Sequence, residues 1–339
     1  MKQKLLFINN YHCTLKLDDS YPMNHLWGSN KLSEHYEVTC AKVPGNLIPY
    51  SFKGVFYINT IYKCLYLAIR YFSFPVVYSA CGELTAGFAL FNLLRFGKRK
   101  LFKIHHHGGK PIVFSKGYTK ILFISPVVRR FYGNLSDTED ITWGGDAIFA
   151  QRCLQTAPTK KLQYDFISAG KSGRDHRCMI LAANQLDAHT MIISAVNDTE
   201  YDKSKVTVLS GSNSQKNSTG YIDVFHYYIQ SKFIVIPIVP RDVKNRHVLS
   251  GLTTFVDAVV LHKPVLISDD TNMGIDVESL GIGTVYKAGD VEDMRNKMLY
   301  LMSLSDLQYH KMCDNMERYS KGRTYDDFCY KLLKIIRES

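Results

Sequence analysis

VLSGLTTFVDAVVLHKPVLISD, residues 248 to 269, is the stretch of this 339-residue chain from which its fold can be read. A turn of small residues, Ser250 and Gly251, opens an amphipathic helix carrying one carboxylate, Asp257, and Lys263-Pro264 then starts an all-apolar strand. A loop of small residues lets a ligand approach the N–H groups of a helix start, where the macrodipole favours negative charge. Thr253 and Thr254 add hydroxyl donors in the first turn. Asp257 falls within two turns, where a carboxylate would accept bonds from ribose hydroxyls rather than meet phosphate. The segment therefore reads as a site for a nucleoside diphosphate, held by Ser250, Gly251, Leu252, Thr253 and Asp257. The plainer alternative is a capped helix of any α/β protein, with Asp257 in solvent.

YDFISAGKSGRDHRCMILAANQL, residues 164 to 186, runs from an apolar strand through a Gly-rich basic turn into a helix, and adds Lys171 and Arg174 as cations for the diphosphate. Asp175 beside them fits either an ion pair with Arg174 or a helix N-cap. Together the two segments resemble the donor half of a GT-B glycosyltransferase of the family-four, or glycosyltransferase group 1, type. The likeness is carried by Gly170-Lys171, Arg174-Asp175, Ser250-Gly251-Leu252, Asp257-Ala258 and Lys263-Pro264-Val265, in the family's order, the two blocks lying some eighty residues apart. It covers most of residues 160 to 305 and the first half more loosely. It implies an α/β fold of two Rossmann-like domains whose parallel sheets face each other across a cleft. It further implies a nucleotide-diphosphate sugar as co-substrate, a saccharide hydroxyl as acceptor, retention of configuration, and no metal or other cofactor. Two departures bear on the chemistry. The family often carries two glutamates eight positions apart; here the second position is Asp257 and the first is Leu249, which cannot hold a sugar hydroxyl. Lys171 stands where Arg is common, a point charge in place of a bidentate fork.

Alternating strands and helices run through both halves. Strand-like runs at 4–10, 75–80, 100–107 and 120–125, with a helix over 83–96, predict a first parallel sheet. The first domain spans residues 1–150. The polar stretch 151–163, which holds a proline, reads as a linker. Residues 164–320 form the nucleotide-sugar domain, and 321–339 a terminal helix that in the resembled fold packs back on the first domain. Ligands of open parallel sheets bind beyond the carboxyl ends of the strands. There the first domain offers Asn24, His25 and Gly28, and the run His105 to Gly109, as an acceptor site. Strand alternation puts His105 and His107 on one face, with Gly108 and Gly109 giving a tight turn. His107 is the residue expected at the reacting sugar, because enzymes of the resembled kind often place a histidine at the end of this strand. Adjacent strand histidines cannot converge on one ion, so metal binding is disfavoured. Glu278 is a further candidate for a sugar hydroxyl, against a solvated helix position.

The net charge is +11 and uneven: residues 1–150 hold 18 Lys and Arg against 9 Asp and Glu. In the first half basic residues interleave with apolar ones, and Lys63 and Arg70 lie seven apart on one helical face beside Tyr62, Tyr66 and Phe72, which suits an anionic membrane surface. The alternative is an ordinary core helix with a solvated basic edge. No helix-turn-helix, RNP or zinc-finger pattern suggests nucleic acid. Eight scattered cysteines without a C-x-x-C pair, and no long apolar leader, point to a reduced, cytoplasmic protein, which the basic, aromatic face would make peripheral on the inner face of the cell membrane. P-loop, nucleophile-elbow, zincin and G-x-G-x-x-G patterns are absent. The basic, aromatic first half suggests a lipid-linked acceptor, as in bacterial surface polysaccharide assembly. Two competing readings remain at this level: a sugar-nucleotide epimerase or phosphorylase of the same plan, and a non-catalytic scaffold that kept the fold, which Leu249 keeps open.

Overall fold

In a computed structural model the described residues are 2–9, 13–49, 54–97, 99–108, 111–170, 172–194, 199–209, 219–242 and 247–339. Lys171 and Gly109 lie outside them. The chain separates into unit 1 (Met1–Asp18, Met23–Thr142 and Asp326–Ser339) and unit 2 (Asp19–Pro22 and Trp143–Tyr325).

Unit 1 runs β1 (Lys4–Ile8), α1 (Ser29–Ser33), β2 (Glu37–Cys40), α2 (Val55–Arg70), β3 (Val76–Ser79) and α3 (Ala86–Leu93). It continues with β4 (Lys100–His105), β5 (Lys120–Phe123), α4 (Pro126–Arg130) and β6 (Thr138–Asp140). These strands make one parallel sheet in the order β2-β1-β3-β4-β5-β6. A parallel sheet covered on both faces needs unbroken apolar runs, and Leu5 to Ile8 are fully buried accordingly. β6 has the sequence TED and no such run, as befits an edge strand.

Unit 2 runs α5 (Ala147–Thr156), β7 (Tyr164–Ala169), α6 (His176–Ala183), β8 (Thr190–Ile193), β9 (Val206–Leu209) and α7 (Tyr221–Ile229). Then come β10 (Ser231–Ile236), α8 (Leu252–Val260), β11 (Val265–Ser268), β12 (Gly283–Tyr286), α9 (Val291–Met302) and α10 (Asp306–Ser320). Its parallel sheet has the order β12-β11-β10-β7-β8-β9. Phe166 and Phe233 sit opposite each other on β7 and β10 with rings stacked at 5.6 Å, at the centre of a core that includes Met179, Leu266, Met294 and Met298. The last helix, α11 (Tyr325–Glu338), returns to unit 1, where Phe328, Leu332 and Ile336 are buried.

Some boundaries differ from those read in the sequence. The stretch 151–163 is helical up to Thr156, because Asp146 caps α5 by accepting from Phe149 N at 3.0 Å; the chain divides after Thr142. β4 stops at His105, so strand alternation does not order His106 and His107. The helix expected over 83–96 is a 3-10 turn, Gly82–Thr85, followed by α3.

Strand order matters for function. Open parallel sheets bind ligands where the order reverses, beyond the carboxyl ends of the strands. In unit 2 that point lies between β7 and β10; in unit 1 it lies between β1 and β3.

Candidate functional site

The reversal point of unit 2 opens into a cavity of about 440 Å³, and the two segments singled out in the sequence form its walls. β7 ends at Ala169, and Gly170 follows with φ +140°. A Cβ at Gly170 would stand 2.9 Å from Arg174 Nε, so the missing side chain is what lets the guanidinium lie against the turn. Arg174 Nη2 donates to Thr254 Oγ1 at 3.0 Å and Nη1 to Ser172 O at 3.4 Å, while Nε is buried without a partner among the described residues. Main-chain bonds from Asp175 N to Pro237 O (2.8 Å) and Val239 N to Gly173 O (3.1 Å) tie this turn to the chain leaving β10. Burial lowers the Arg174 pKa, and no carboxylate pairs with it among the described residues. A cation with no paired carboxylate among the described residues, lying in a cavity wall, suits an anionic ligand.

Asp175 is the N-cap of α6, its Oδ1 accepting from Cys178 N at 2.9 Å, so its carboxylate serves the helix and not Arg174. Behind it, His176 Nε2 shares a 3.2 Å hydrogen bond with Ser168 Oγ. Burial first, and the Arg174 charge second, bring the His176 pKa down to about 4. The imidazole is neutral near pH 7.

The opposite wall is the start of α8. Gly251 takes φ +83°, and a Cβ there would come 2.5 Å from Ile236 Cγ2, so only glycine lets the helix start this close to β10. No side chain caps α8, and the first intrahelical bond is Phe255 N to Gly251 O at 2.9 Å. The N–H groups of Leu252, Thr253 and Thr254 precede that bond and stand at the positive end of the helix. Ser250 N is already engaged by Thr271 O at 3.0 Å, so the usable amides begin beyond it.

Asp257 lines the same cavity and is 3% exposed, which overturns the solvated alternative. Burial drives its pKa well above the usual carboxylate range. Tyr221 and Tyr228 of α7 complete the wall, their hydroxyl pKa values raised by burial and then by the Asp257 charge. Leu249 is a buried, apolar part of the lining. The tyrosines and Thr254's bond to Arg174 were not assigned from sequence, since nothing local in YIDVFHYYI ties that helix to a turn thirty residues on. Lys171, expected here, lies outside the described residues. Glu278 sits in a turn, where its Oε1 accepts from Thr284 Oγ1 (2.6 Å), Val285 N (3.1 Å) and Lys297 Nζ (3.4 Å). It braces β12 from outside the cavity lining, and it is solvent-exposed as the plainer alternative has it, though in a turn and not on a helix.

In unit 1 the two turns assigned to an acceptor meet. Trp27 stacks on His106 with centroids 4.6 Å apart and meets Phe328 of α11 edge-on at 6.3 Å. Asn24 is fully buried in the 3-10 turn Met23–Leu26, and His25 beside it is half-buried. Gly28, φ +82°, is spent on packing, for a Cβ there would come 2.8 Å from Leu332 Cδ2. Tyr132 Oη donates to His107 O at 3.1 Å and lies 2.7 Å from His105 Nε2. One hydroxyl proton serves the carbonyl, so His105 supplies the second as a neutral Nε2–H imidazole. Burial holds both His105 and His106 at pKa values of about 3. His107 alone of the three is exposed, and Gly108 behind it is buried. Among the described residues no three His, Cys, Asp or Glu side chains converge as a metal set.

Two all-parallel six-stranded sheets, with the cavity at a strand-order reversal, define the fold as that of the GT-B glycosyltransferases. No protein-family model and no curated protein sequence matches the chain. Solved structures do. An α,α-trehalose-6-phosphate synthase from Burkholderia multivorans superposes with TM-score 0.73 at 9% identity, over 100% of this chain and 99% of that one. A glycosyltransferase from Rickettsia africae gives 0.65 at 13% identity, over 99% and 98%. Anabaena HepE in complex with UDP and glucose gives 0.64 at 11% identity, over 99% and 100%. At these identities the likeness establishes the fold.

Proposed function

We propose that the chain transfers a sugar from a nucleoside-diphosphate sugar to a saccharide hydroxyl. The observation that carries this reading is the half-buried guanidinium of Arg174, which no carboxylate pairs among the described residues, lining the same cavity as the uncapped start of α8. As the anomeric bond breaks, negative charge grows on the leaving diphosphate, and groups already aimed at that point lower the barrier without reorganising. Arg174 and the N–H groups of Leu252, Thr253 and Thr254 fill that role, with Lys171 adjacent in sequence. Asp257, in the wall of the same cavity and close enough to Tyr228 to raise its pKa, takes the ribose hydroxyls. These cations and amides do the work a divalent ion does elsewhere, so transfer proceeds without metal. Retention of configuration follows if a leaving phosphate oxygen accepts the acceptor's proton on the same face. His107 orients the reacting sugar. A lipid-linked saccharide of a surface polysaccharide is the acceptor class that suits the basic first half.

UDP is the nucleotide to test first, since HepE is a structure of this fold in complex with UDP. Calorimetric titration with UDP, GDP and their glucose conjugates should give saturable binding by one base class that Arg174→Ala weakens. The proposal fails if no nucleoside diphosphate binds. Binding without transfer to any of a panel of saccharide acceptors favours the non-catalytic reading, which the apolar Leu249 in the cavity wall supports.

A further inference from the structure

We propose that unit 1 docks on an anionic lipid bilayer through the outward arc of α2 and the adjoining end of α3. The inference is independent of the transfer reading, because it concerns a surface of unit 1 and no residue of the nucleotide cavity.

The sequence from residue 38 to residue 136 carries 14 Lys and Arg and a single acidic residue, Glu83. Such an excess favours an anionic partner over a cationic one, and α2 shows what kind. The helix buries Val55, Asn59, Cys64, Leu67 and Ala68, with Asn59 holding the main chain of Ile48 by bonds of 3.0 and 2.9 Å. What it leaves outside is not a polar face. Tyr57, Ile61, Leu65 and Ile69 follow one another at four-residue steps, and three of them are 71%, 60% and 66% exposed (Tyr57, Ile61 and Ile69). At 100° per residue, Tyr62 and Tyr66 come next round the helix, and then Lys63 and Arg70. The tyrosines pair at 6.1 Å, and the Arg70 guanidinium lies 5.9 Å from the Tyr66 ring. The arc thus passes from aliphatic to aromatic to cationic.

The apolar ridge continues onto the end of α3. Phe91 touches both Phe72 and Phe96, each at 6.1 Å, and Arg99 fixes that corner by donating to Phe72 O (3.3 Å) and Phe96 O (3.2 Å). Leu93, Leu94 and Phe96 are exposed there, Phe96 by 57%. Contiguous exposed apolar surface of this kind marks an interaction site.

The occupant follows from charge and shape together. A second copy presents the same cationic face and is repelled. Nucleic acid answers the charge but gives an aliphatic ridge nothing to enter. A bilayer with anionic headgroups answers both, since aliphatic side chains enter the acyl boundary, tyrosines sit at headgroup depth and cations meet phosphate. Among the described residues no helix is long and apolar enough to cross a membrane, so the contact is interfacial.

The test is flotation of the full chain with phosphatidylcholine vesicles, with and without phosphatidylglycerol. The protein should float with the anionic vesicles, weakly with the neutral ones, and less at high salt. The double variants Ile61→Ser/Ile69→Ser and Lys63→Glu/Arg70→Glu should each lower the partition coefficient about tenfold or more. Circular dichroism and thermal melting of each variant check that it is folded; an unfolded variant is replaced by Tyr57→Ser/Leu94→Ser, which is held to the same tenfold loss. Failure of the unaltered chain to float with anionic vesicles overturns the proposal. So does undiminished flotation of the folded variants, or a lipid-free dimer that Ile61→Ser/Ile69→Ser dissolves. Nucleotide titration runs separately, so loss of vesicle binding with intact UDP binding, or the reverse, shows which reading has failed.

Discussion

Arg174 and Asp257 are both desolvated in the cavity wall, and each is testable singly. Removing the Arg174 guanidinium deletes a charge-assisted contact, so Arg174→Ala should weaken nucleoside-diphosphate binding by about 1.5 to 3 kcal/mol. Calorimetry reads that directly, and an unchanged Kd would dissociate Arg174 from the ligand. Asp257 makes the opposite kind of prediction. Its folded-state pKa is raised, so the folded chain holds a proton that the unfolded chain releases as pH passes the ordinary carboxylate range, and stability falls as pH rises through that window. Asp257→Asn has nearly the same shape and no charge to desolvate. It should therefore raise the melting temperature at pH 7 while weakening nucleotide binding, a trade of stability against function. A lower melting temperature would mean that the carboxylate is held by partners and contributes to the fold.

Elements were legible where a periodic apolar run or a turn residue forces one outcome. β7, β10 and β11 are runs of that kind, and the Gly251 turn before α8 was visible because no other residue fits there. β6 was not, since TED carries no apolar signal and its strand character comes only from pairing with β5. The end of β4 was also misplaced. His105 to His107 read as a continuous strand, whereas the Tyr132 hydroxyl captures both His105 Nε2 and His107 O, and His106 turns away onto Trp27. Those partners are about twenty-five and eighty residues distant, so local pattern could not announce them. Strand ends that bury neutral histidines have a measurable consequence. His105 and His106 after β4, and His176 at the start of α6, all have depressed pKa values, so below about pH 6.5 the unfolded chain takes up protons the folded chain refuses. Stability should fall on acidification from pH 6.5 toward 4, each histidine contributing about 1.4 kcal/mol per pH unit. His176→Gln should lessen that slope by one such share in chemical denaturation at pH 6.5, 5.5 and 4.5. An unchanged slope would mean that His176 protonates in the folded state without cost.

The whole molecule is not folded in chain order, and this sets how damage spreads through it. Unit 1 is closed by residues 326–339, which follow all of unit 2 in the sequence, so its core is completed only when the last helix has been made. The contact is specific: Gly28 has no side chain to obstruct Leu332, Trp27 meets Phe328 edge-on, and Tyr78 Oη in the centre of the sheet donates to Trp27 O at 2.8 Å. Leu332 is fully buried there, and Lys331 beside it donates to Asp140 O at 2.7 Å, covering the open side of β6. Truncating such a leucine typically costs about 2 to 5 kcal/mol. Leu332→Ala should therefore destabilise unit 1 by that order, visible as faster hydrogen exchange in β1, β3 and the Trp27 turn. Among the described residues the cavity at Arg174 is lined by unit 2 alone, and no residue of α11 belongs to the core cluster of that unit. UDP affinity of the variant should consequently stay within about twofold of the unaltered chain, since sites far apart with no shared partners couple by no more than about 0.5 kcal/mol. Loss of UDP binding in step with the loosening of unit 1 would mean instead that the cavity is not independent of the stability of unit 1.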